Sequence, residues 1–264
     1  MNDWLSITQG DAPLIVSIPH TGMIIPDGIP GLVSHELARR DADHHVDRLY
    51  AFAADLGATI IHSGISRTVI DLNRDPSGQS LYPGQATTGL CPDTTFDGER
   101  LYAAGFEPDA AEIALRRAAW FDPYHAALRN QIERLRALHP AVVLYDAHSI
   151  RSQVPRLFDG ELPQFNIGSY EGASCDPALT VAIAADCAGE THVVNGRFKG
   201  GWITRHYGDP PRGIHAVQME LAIRGYADEA GAWPPVWDAN RAAPMQTRLR
   251  TILSTCLDFA KDQQ

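Results

Sequence analysis

Two histidines of this 264-residue chain stand at positions from which an imidazole can bind a metal ion. His20 follows the apolar run PLIVSIP, and His148 follows AVVLYDA. Because ligands of α/β proteins bind at the carboxyl ends of the strands, both side chains are predicted to reach one site. A catalytic zinc site needs about three His or carboxylate ligands and leaves one position for water. Taken singly, a histidine at a strand end is more often a hydrogen-bonded structural residue, so each one alone is weak evidence.

A third ligand is available in the segment ARRDADHHVDRLY, which carries several carboxylates and imidazoles. The candidates are Asp41, Asp43, His44, His45 and Asp47. The segment fits a helix on which Asp43 and Asp47 share a face, and most acidic residues on helices are simply solvated. No HExxH spacing occurs, so the chain does not have the zincin motif.

Glu220 is an unusual residue for its surroundings, because it interrupts the apolar run AVQMEL. Burying a carboxylate is costly unless a partner compensates for the lost hydration. A nearby metal ion or a raised pKa would make Glu220 a general base that acts on metal-activated water. The alternative is a glutamate at the rim of the core, hydrogen-bonded to backbone. Asp146, two residues before His148, can orient that histidine or cap the end of the strand.

Seven arginines fall in segments that connect the predicted elements, and they carry the clue to the substrate. They are Arg67, Arg74, Arg151, Arg156, Arg197, Arg205 and Arg212. The chain has 22 basic and 32 acidic residues, a formal charge of −10, which argues against nucleic acid and repels anions at long range. Local arginines, which pair with carboxylates through two hydrogen bonds, therefore indicate an anionic substrate. About half of the seven are expected to be ordinary surface residues.

The elements that must position these side chains alternate between strands and helices. Strands are predicted at residues 13–18, 58–62, 68–72, 141–145, 165–167, 192–194 and 214–221. Helices are predicted at 34–57, at 109–138 with an interruption at Asp122-Pro123, at 177–187, and from Asn240 to about Lys261. This alternation predicts an α/β fold with a mixed or mostly parallel central sheet flanked by helices. No repeat or linker is visible, so residues 1–264 are predicted to form a single domain.

Two further features of the sequence concern its connections and its compartment. The glycine- and proline-rich loop at 75–98 is too long to be an idle connector. The first 20 residues lack the pattern of a signal peptide, and no apolar run is long enough to cross a bilayer. The four cysteines are scattered without a CxxC pair, which predicts reduced thiols in a cytoplasmic protein.

Five segments of the chain are specific enough to compare with known families, namely VSIPHTG, VIDLNRDPSGQSLYPGQATTGLCP, YDAHSIRSQVPRLFDGELPQFNIGS, NGRFKGGWITRHYGDP and AVQMEL. They resemble the N-formylglutamate amidohydrolase family. They follow one another in the family's order between about residues 10 and 225. The resemblance implies hydrolysis of N-formyl-L-glutamate to formate and L-glutamate, a reaction of histidine degradation.

A more distant likeness to zinc carboxypeptidases implies roles for individual residues and a carboxypeptidase-like fold. The motif Asp71-Leu72-Asn73-Arg74 is similar to their DLNR, in which Asn and Arg hold a terminal carboxylate. His148 resembles their second zinc histidine, and Glu220 resembles their catalytic glutamate. The first ligand pair, HxxE, is absent here, because His20 is followed by Thr-Gly-Met. The missing carboxylate is expected to be Asp43, with Asp41 as its rival.

The motifs and the resemblance together predict a zinc-dependent amidohydrolase, with cobalt or iron as alternative metals. The metal ligands are expected to be His20, Asp43 and His148, with Glu220 as the general base. Asn73 and Arg74 are expected to hold the α-carboxylate and Arg67 with Arg151 the side-chain carboxylate, while residues from Thr204 to Tyr207 close over the site. The expected partner is a small anionic N-acyl amino acid, with no nucleic acid and no membrane, and the oligomeric state is open.

Two alternatives to this function remain open from the sequence. The first is a metallo-carboxypeptidase or a deacylase for another N-acyl acidic amino acid, since the DLNR motif does not separate these substrates. The second is a non-catalytic binding protein for an acidic metabolite, which would keep the arginines but has no need of Glu220 beside two histidines.

Overall fold

A mixed seven-stranded sheet forms the centre of the computed structural model, which describes residues 3–81, 84–231 and 233–263. Its strands are β1 Leu5–Thr8, β2 Leu14–Ile18, β3 Thr59–Ser63, β4 Val142–Ile150, β5 Phe165–Gly168, β6 His192–Val194 and β7 Ile214–Ala222. The spatial order is β1-β3-β2-β4-β7-β5-β6, and the four strands β3, β2, β4 and β7 run parallel. Strand β1 is antiparallel to β3, and β5 is antiparallel to β7.

Helices cover both faces of this sheet, which confirms the predicted α/β class. They are α1 Val46–Tyr50, α2 Ala110–Arg116, α3 Asp122–Arg136, α4 Pro177–Asp186, α5 Trp202–Tyr207 and α6 Ala239–Asp262. One core layer joins α1, α4 and α6 to the odd-numbered side chains of β4, and the other joins α3 and α5 to Val142 and Leu144. All nine residues of β4 are buried, as expected for a central parallel strand covered on both sides. The single domain over residues 1–264 stays a prediction.

The central strands β4 and β7 extend beyond their predicted ends. Strand β4 was expected at 141–145, yet its ladder with β7 continues to Ile150. His148 therefore lies within the strand, in register with Glu220 on β7. Because side chains alternate along a strand, Asp146 and His148 share one face of the sheet, with Glu220 beside them. The ladder thus holds the His148 imidazole and the Glu220 carboxylate on neighbouring strands at the same level of the sheet.

The predicted helix at 34–57 is wrong, because the chain leaves the helical path in its middle. The segment contains a 3-10 turn at Leu37–Arg39, the short helix α1 and a second 3-10 turn at Ala51–Leu56. His45, just before α1, has a left-handed backbone with φ of 65°, and the Asp43 amide donates to the His20 carbonyl at 2.9 Å. Asp43 therefore does not share a helical face with Asp47. Hydrophobic periodicity reads side chains and does not detect such a break.

The predicted strand at 68–72 is also wrong, since these residues form a buried turn. The Val69 amide donates to the Ser66 carbonyl, and the Asp71 amide donates to the Leu90 carbonyl. The apolar side chains of the segment are fully buried, and a short apolar run of this kind has the same sequence pattern as a core strand. The turn brings the Asp71 carboxylate towards the end of β2.

The helical segments differ from their predictions mainly at their ends. Residues 110–136 are continuously helical, and a π-helical turn at Arg117–Phe121 joins α2 to α3, so that Pro123 lies in the first turn of α3. Asp238, and not Asn240, caps α6, because its carboxylate accepts from the amides of Asn240 and Arg241. None of the helices in the described ranges is long and apolar enough to cross a membrane.

We expect acid to destabilise the fold through His125, which is buried on α3. Its Nε2 donates to the Leu72 carbonyl at 2.9 Å, and burial lowers its pKa to about 4. As the pH falls, the unfolded chain binds a proton on this histidine near its ordinary pKa of about 6.5, before the folded protein does. The stabilisation that is complete above pH 6.5 is therefore lost towards pH 4. The loss attributable to His125 amounts to about 3 kcal/mol.

Urea unfolding between pH 7 and pH 4 measures this effect. The wild type should lose more unfolding free energy over this range than His125→Gln. The exposed His192→Gln serves as the control and should follow the wild type. Parallel curves for wild type and His125→Gln would contradict the assignment.

Candidate active site

His20, Asp43 and His148 come together at the end of the central strands. Each offers one ligand atom, and these atoms lie within 4.8 Å of one another. The Asp43 Oδ2 atom is 3.0 Å from His148 Nδ1 and 3.8 Å from His20 Nδ1. All three side chains are buried. The three predicted metal ligands therefore form one compact group of two imidazoles and a carboxylate.

The remaining ring nitrogen of each histidine faces a second carboxylate. His20 Nε2 lies 2.8 Å from Asp71 Oδ1, and His148 Nε2 lies 2.8 Å from Asp146 Oδ2. Metal-binding histidines commonly use their second nitrogen in this way, which fixes the ring and increases its basicity. The other nitrogen of His20, Nδ1, is buried and has no hydrogen-bond partner among the described residues. This donor set and its orphaned nitrogen fit a divalent metal ion.

The structure separates Asp43 from the other carboxylates that competed for the third ligand position. Asp41 accepts from the Phe96 amide at 2.7 Å and lies 3.5 Å from Arg151, outside the cluster. Asp47 is exposed. The break in the predicted helix, which turns the Asp43 amide towards His20, thus places Asp43, and not Asp41 or Asp47, beside the two histidines.

The surroundings of His20 and His148 shift the pKa values of the two rings in opposite directions. Burial lowers the pKa of His20, and the Arg67 guanidinium lowers it further. Burial would also lower the pKa of His148, but the carboxylates of Asp146 and Asp43 outweigh it and hold that pKa well above its usual value. A bound cation would replace the proton that the carboxylates hold on His148.

Arg67 and Asp71 form a buried charged support behind the cluster. Arg67 donates to Asp71 Oδ2 at 2.7 Å and to Asp43 Oδ1 at 3.3 Å. Burial raises the pKa of Asp71, but Arg74, His20 and Arg67 outweigh it and hold the pKa well below its usual range. The Arg67 guanidinium is therefore held between two carboxylates of the chain.

Glu220 faces the same space as the two histidines. Its Oε2 accepts a hydrogen bond from the side-chain amide of Gln218 at 3.1 Å, and Glu220 is 7% exposed. Burial raises the pKa of Glu220 to about 8, with the His148 charge acting in the opposite direction. A divalent cation nearby would favour the ionised form and so make Glu220 a proton acceptor near neutral pH.

These groups open into a cavity at this edge of the sheet. His20, His148 and Glu220 lie in its wall, together with the apolar residues Phe96, Ile150, Leu157 and Phe198. The loop predicted to be functional contributes Ala86, Thr87 and Thr88. The charged residues of the described lining are Glu220 and three arginines, namely Arg67, Arg74 and Arg197. Three guanidinium groups thus line a cavity of an acidic protein.

Asn73 and Arg74 both reach this cavity, but they have different partners. The Asn73 side chain donates to Asp146 Oδ2 at 2.8 Å and accepts from the Ile203 amide at 2.7 Å. Arg74 donates to the carbonyl and hydroxyl oxygens of Thr88 at 3.1 and 3.3 Å, and its Nε lies 3.7 Å from Asp71 Oδ2. Asn73 therefore ties the site to α5, whereas Arg74 presents a cation at the cavity wall.

The structure does not bring Arg151, Thr204 and Tyr207 into the described lining of the cavity. Arg151 pairs with Asp97 at 2.9 Å, on the other side of Phe96. The segment expected to close over the site is helix α5, whose residues Thr204 and Tyr207 are buried. No helix or strand was predicted for this segment, yet its apolar residues pack in the core.

Two residues of the site received no role from the sequence. Asp71 was quoted only as part of the DLNR motif, and Arg197 only as one of seven arginines. Asp71 interrupts the apolar run TVIDL as Glu220 interrupts AVQMEL, so the same signal applied to both. Arg197 has no comparable signal, because only the fold brings residue 197 next to residue 86.

The comparisons with known proteins agree with these observations. The family model described as N-formylglutamate amidohydrolase matches residues 12–227. N-formylglutamate deformylases of Pseudomonas putida and Pseudomonas aeruginosa are each 45% identical to the chain over 267 residues, covering 100% of this chain and 99% of the relative. The crystal structure of N-formylglutamate amidohydrolase from Ralstonia eutropha JMP134 has a TM-score of 0.82 at 22% identity and covers 99% of both chains. The chain belongs to the N-formylglutamate amidohydrolase family.

Proposed function

We propose that this protein hydrolyses N-formyl-L-glutamate to formate and L-glutamate with the aid of one zinc ion. The observation that carries the proposal is the cavity in which Glu220 and two histidines lie beside arginines. The relatives that share 45% of its residues over the full chain are named for this reaction. The small, anionic substrate suits a cavity lined by three arginines in a chain with a formal charge of −10.

His20, Asp43 and His148 would hold the metal ion. Two imidazole nitrogens and one carboxylate oxygen are a ligand set that catalytic zinc uses, although cobalt or iron also accept it. When bound, the ion polarises the formyl carbonyl and lowers the pKa of a water molecule. Asp71 and Asp146 would hold the two imidazole rings in the orientation that binds the ion. Arg67 balances the negative charge of Asp43.

Glu220 is the proton acceptor of this reaction. It takes a proton from the attacking water and returns it to the nitrogen of glutamate as that nitrogen leaves. Its register with His148 on the parallel ladder keeps the carboxylate beside the ligand cluster. The shared wall of the cavity allows substrate, base and metal ligands to meet without a change in the sheet.

We expect Arg74→Ala to raise KM for N-formyl-L-glutamate about 10- to 100-fold, with a smaller change in kcat. The charged hydrogen bonds of a guanidinium to the α-carboxylate supply this difference in binding. Steady-state kinetics measure it, with the exposed Arg212→Ala as the matched control. An unchanged KM would remove Arg74 from carboxylate binding.

Formate release from N-formyl-L-glutamate is the direct test of the proposed function. We expect the purified protein to release formate, a chelator to abolish the activity, and added zinc to restore it. Cobalt and iron are tested in the same way to identify the metal that supports turnover. Release of formate that no chelator affects would contradict the metal.

The same assay separates the two alternatives. Absence of formate with cleavage of another N-acyl acidic amino acid or of a peptide would indicate a different deacylase or a carboxypeptidase. Tight binding of N-formyl-L-glutamate without any formate would indicate a non-catalytic binding protein.

A further inference from the structure

We propose that Arg197 binds the side-chain carboxylate of the substrate and so selects for glutamate over uncharged amino acids. This inference rests on the proposed function, because it concerns the same cavity and the same substrate. It replaces the expectation that Arg67 and Arg151 share this role.

Two of the other arginines near the site pair with carboxylates of the chain. The Arg67 guanidinium is held between Asp43 and Asp71 at 3.3 and 2.7 Å, so its charge already balances these carboxylates. Arg151 pairs with Asp97 outside the described lining. A substrate with two carboxylates needs two cations, and the lining also contains Arg74, whose Nε lies 3.7 Å from Asp71 Oδ2, and Arg197.

The contacts of Arg197 hold its guanidinium at the cavity wall. Its Nε donates to the Leu157 carbonyl at 2.7 Å, and Nη2 donates to the Ala86 carbonyl at 3.0 Å. The guanidinium carbon lies 5.4 Å from the centre of the Phe198 ring, which also lines the cavity. These two backbone carbonyls orient the guanidinium at the cavity wall.

The two arginines are anchored close together on one segment. Arg197 is anchored to the Ala86 carbonyl and Arg74 to that of Thr88, two residues further along the same segment. Two residues span at most about 7 Å, even when fully extended. The carboxyl carbons of glutamate are four carbon–carbon bonds apart, about 5 Å in an extended molecule. The two anchors are therefore separated by a distance of the same order as the length of one glutamate, and both arginines line the cavity that contains Glu220.

Three substrates and two variants test this proposal on the metal-loaded protein. The substrates are N-formyl-L-glutamate, N-formyl-L-glutamine, which lacks the side-chain carboxylate, and N-formyl-L-isoglutamine, which lacks the α-carboxylate. We expect Arg197→Met to lower kcat/KM for N-formyl-L-glutamate and for the isoglutamine about 10- to 100-fold. The value for N-formyl-L-glutamine should change by less than about threefold, since the lost partner is absent there.

The control is Arg205→Met, because Arg205 also donates to two backbone carbonyls but is absent from the described lining. Arg205→Met should keep the wild-type preference for glutamate over glutamine. Arg197→Lys, which retains the charge, should recover part of that preference, and zinc content and thermal melting verify that each variant is folded.

Two results would overturn the proposal. In the first, Arg197→Met loses kcat/KM equally on all three substrates, and in the second it keeps the full preference for glutamate. A loss confined to glutamate and glutamine, which share the α-carboxylate, would also overturn it, because it would place Arg197 at that group. Failure of the wild type to release formate from N-formyl-L-glutamate is a different outcome, which rejects the proposed function itself.

Discussion

Glu220→Gln should bind its metal ion normally and yet lose about 100- to 10,000-fold in kcat. Glutamine has nearly the shape of glutamate and can still accept the hydrogen bond that the Gln218 side chain donates, but it does not take up a proton. The proposed metal ligands are His20, Asp43 and His148, so the metal content should remain at the wild-type value. The loss therefore separates the chemical step from assembly of the site.

Metal analysis and formate release on the same preparation provide the measurement. The exposed Glu190→Gln, a glutamate of the same chain outside the cavity, is the matched control and should retain full activity. A fully active Glu220→Gln protein would exclude Glu220 as the base. A metal-free one would show that the carboxylate belongs to the metal site.

Asp43→Asn should lower the affinity for the metal at least about 100-fold and abolish formate release at a limiting metal concentration. An amide is a poorer ligand than a carboxylate, and the change also removes the negative charge that balances two histidines and Arg67. Asp41→Asn is a closely matched control, because Asp41 lies two residues away and bonds to the Phe96 amide.

Competition with a chromogenic chelator measures both affinities. We expect Asp41→Asn to bind metal as the wild type does. The reverse result, in which Asp41→Asn loses the metal and Asp43→Asn keeps it, would assign the ligand to Asp41. Because Asp43 also supports Arg67, the unfolding free energy of each variant is compared with that of metal-free wild type.

The central strands and the residues on them were accessible from sequence. The runs that became β2, β4 and β7 are continuous and apolar, and polar residues at or near their ends are easily noticed. His20, His148 and Glu220 are polar residues of this kind. Even there, the prediction ended β4 too early, because a histidine inside a strand looks like the start of a loop.

The parts that sequence did not predict depend on contacts between distant segments. The left-handed backbone of His45 and the bond from the Asp43 amide to the His20 carbonyl break a helix that periodicity favoured. The partners of the arginines are also tertiary, since Arg151 and Arg197 both follow apolar segments but face different surroundings. Charge and residue type alone do not determine which cation faces a substrate.

Some residues of the site lie on strands and others lie in connections, which affects where the chain can accept substitutions. His148 and Glu220 lie on paired interior strands, where inserting one residue would turn the following side chains to the opposite face. Arg74, Arg197 and the segment that contains Ala86 and Thr88 lie in connections, where the chain tolerates replacement more readily. Substitutions at Arg74, Arg197 or this segment should therefore change which acyl amino acid binds, while the ladder that holds His148 and Glu220 is kept.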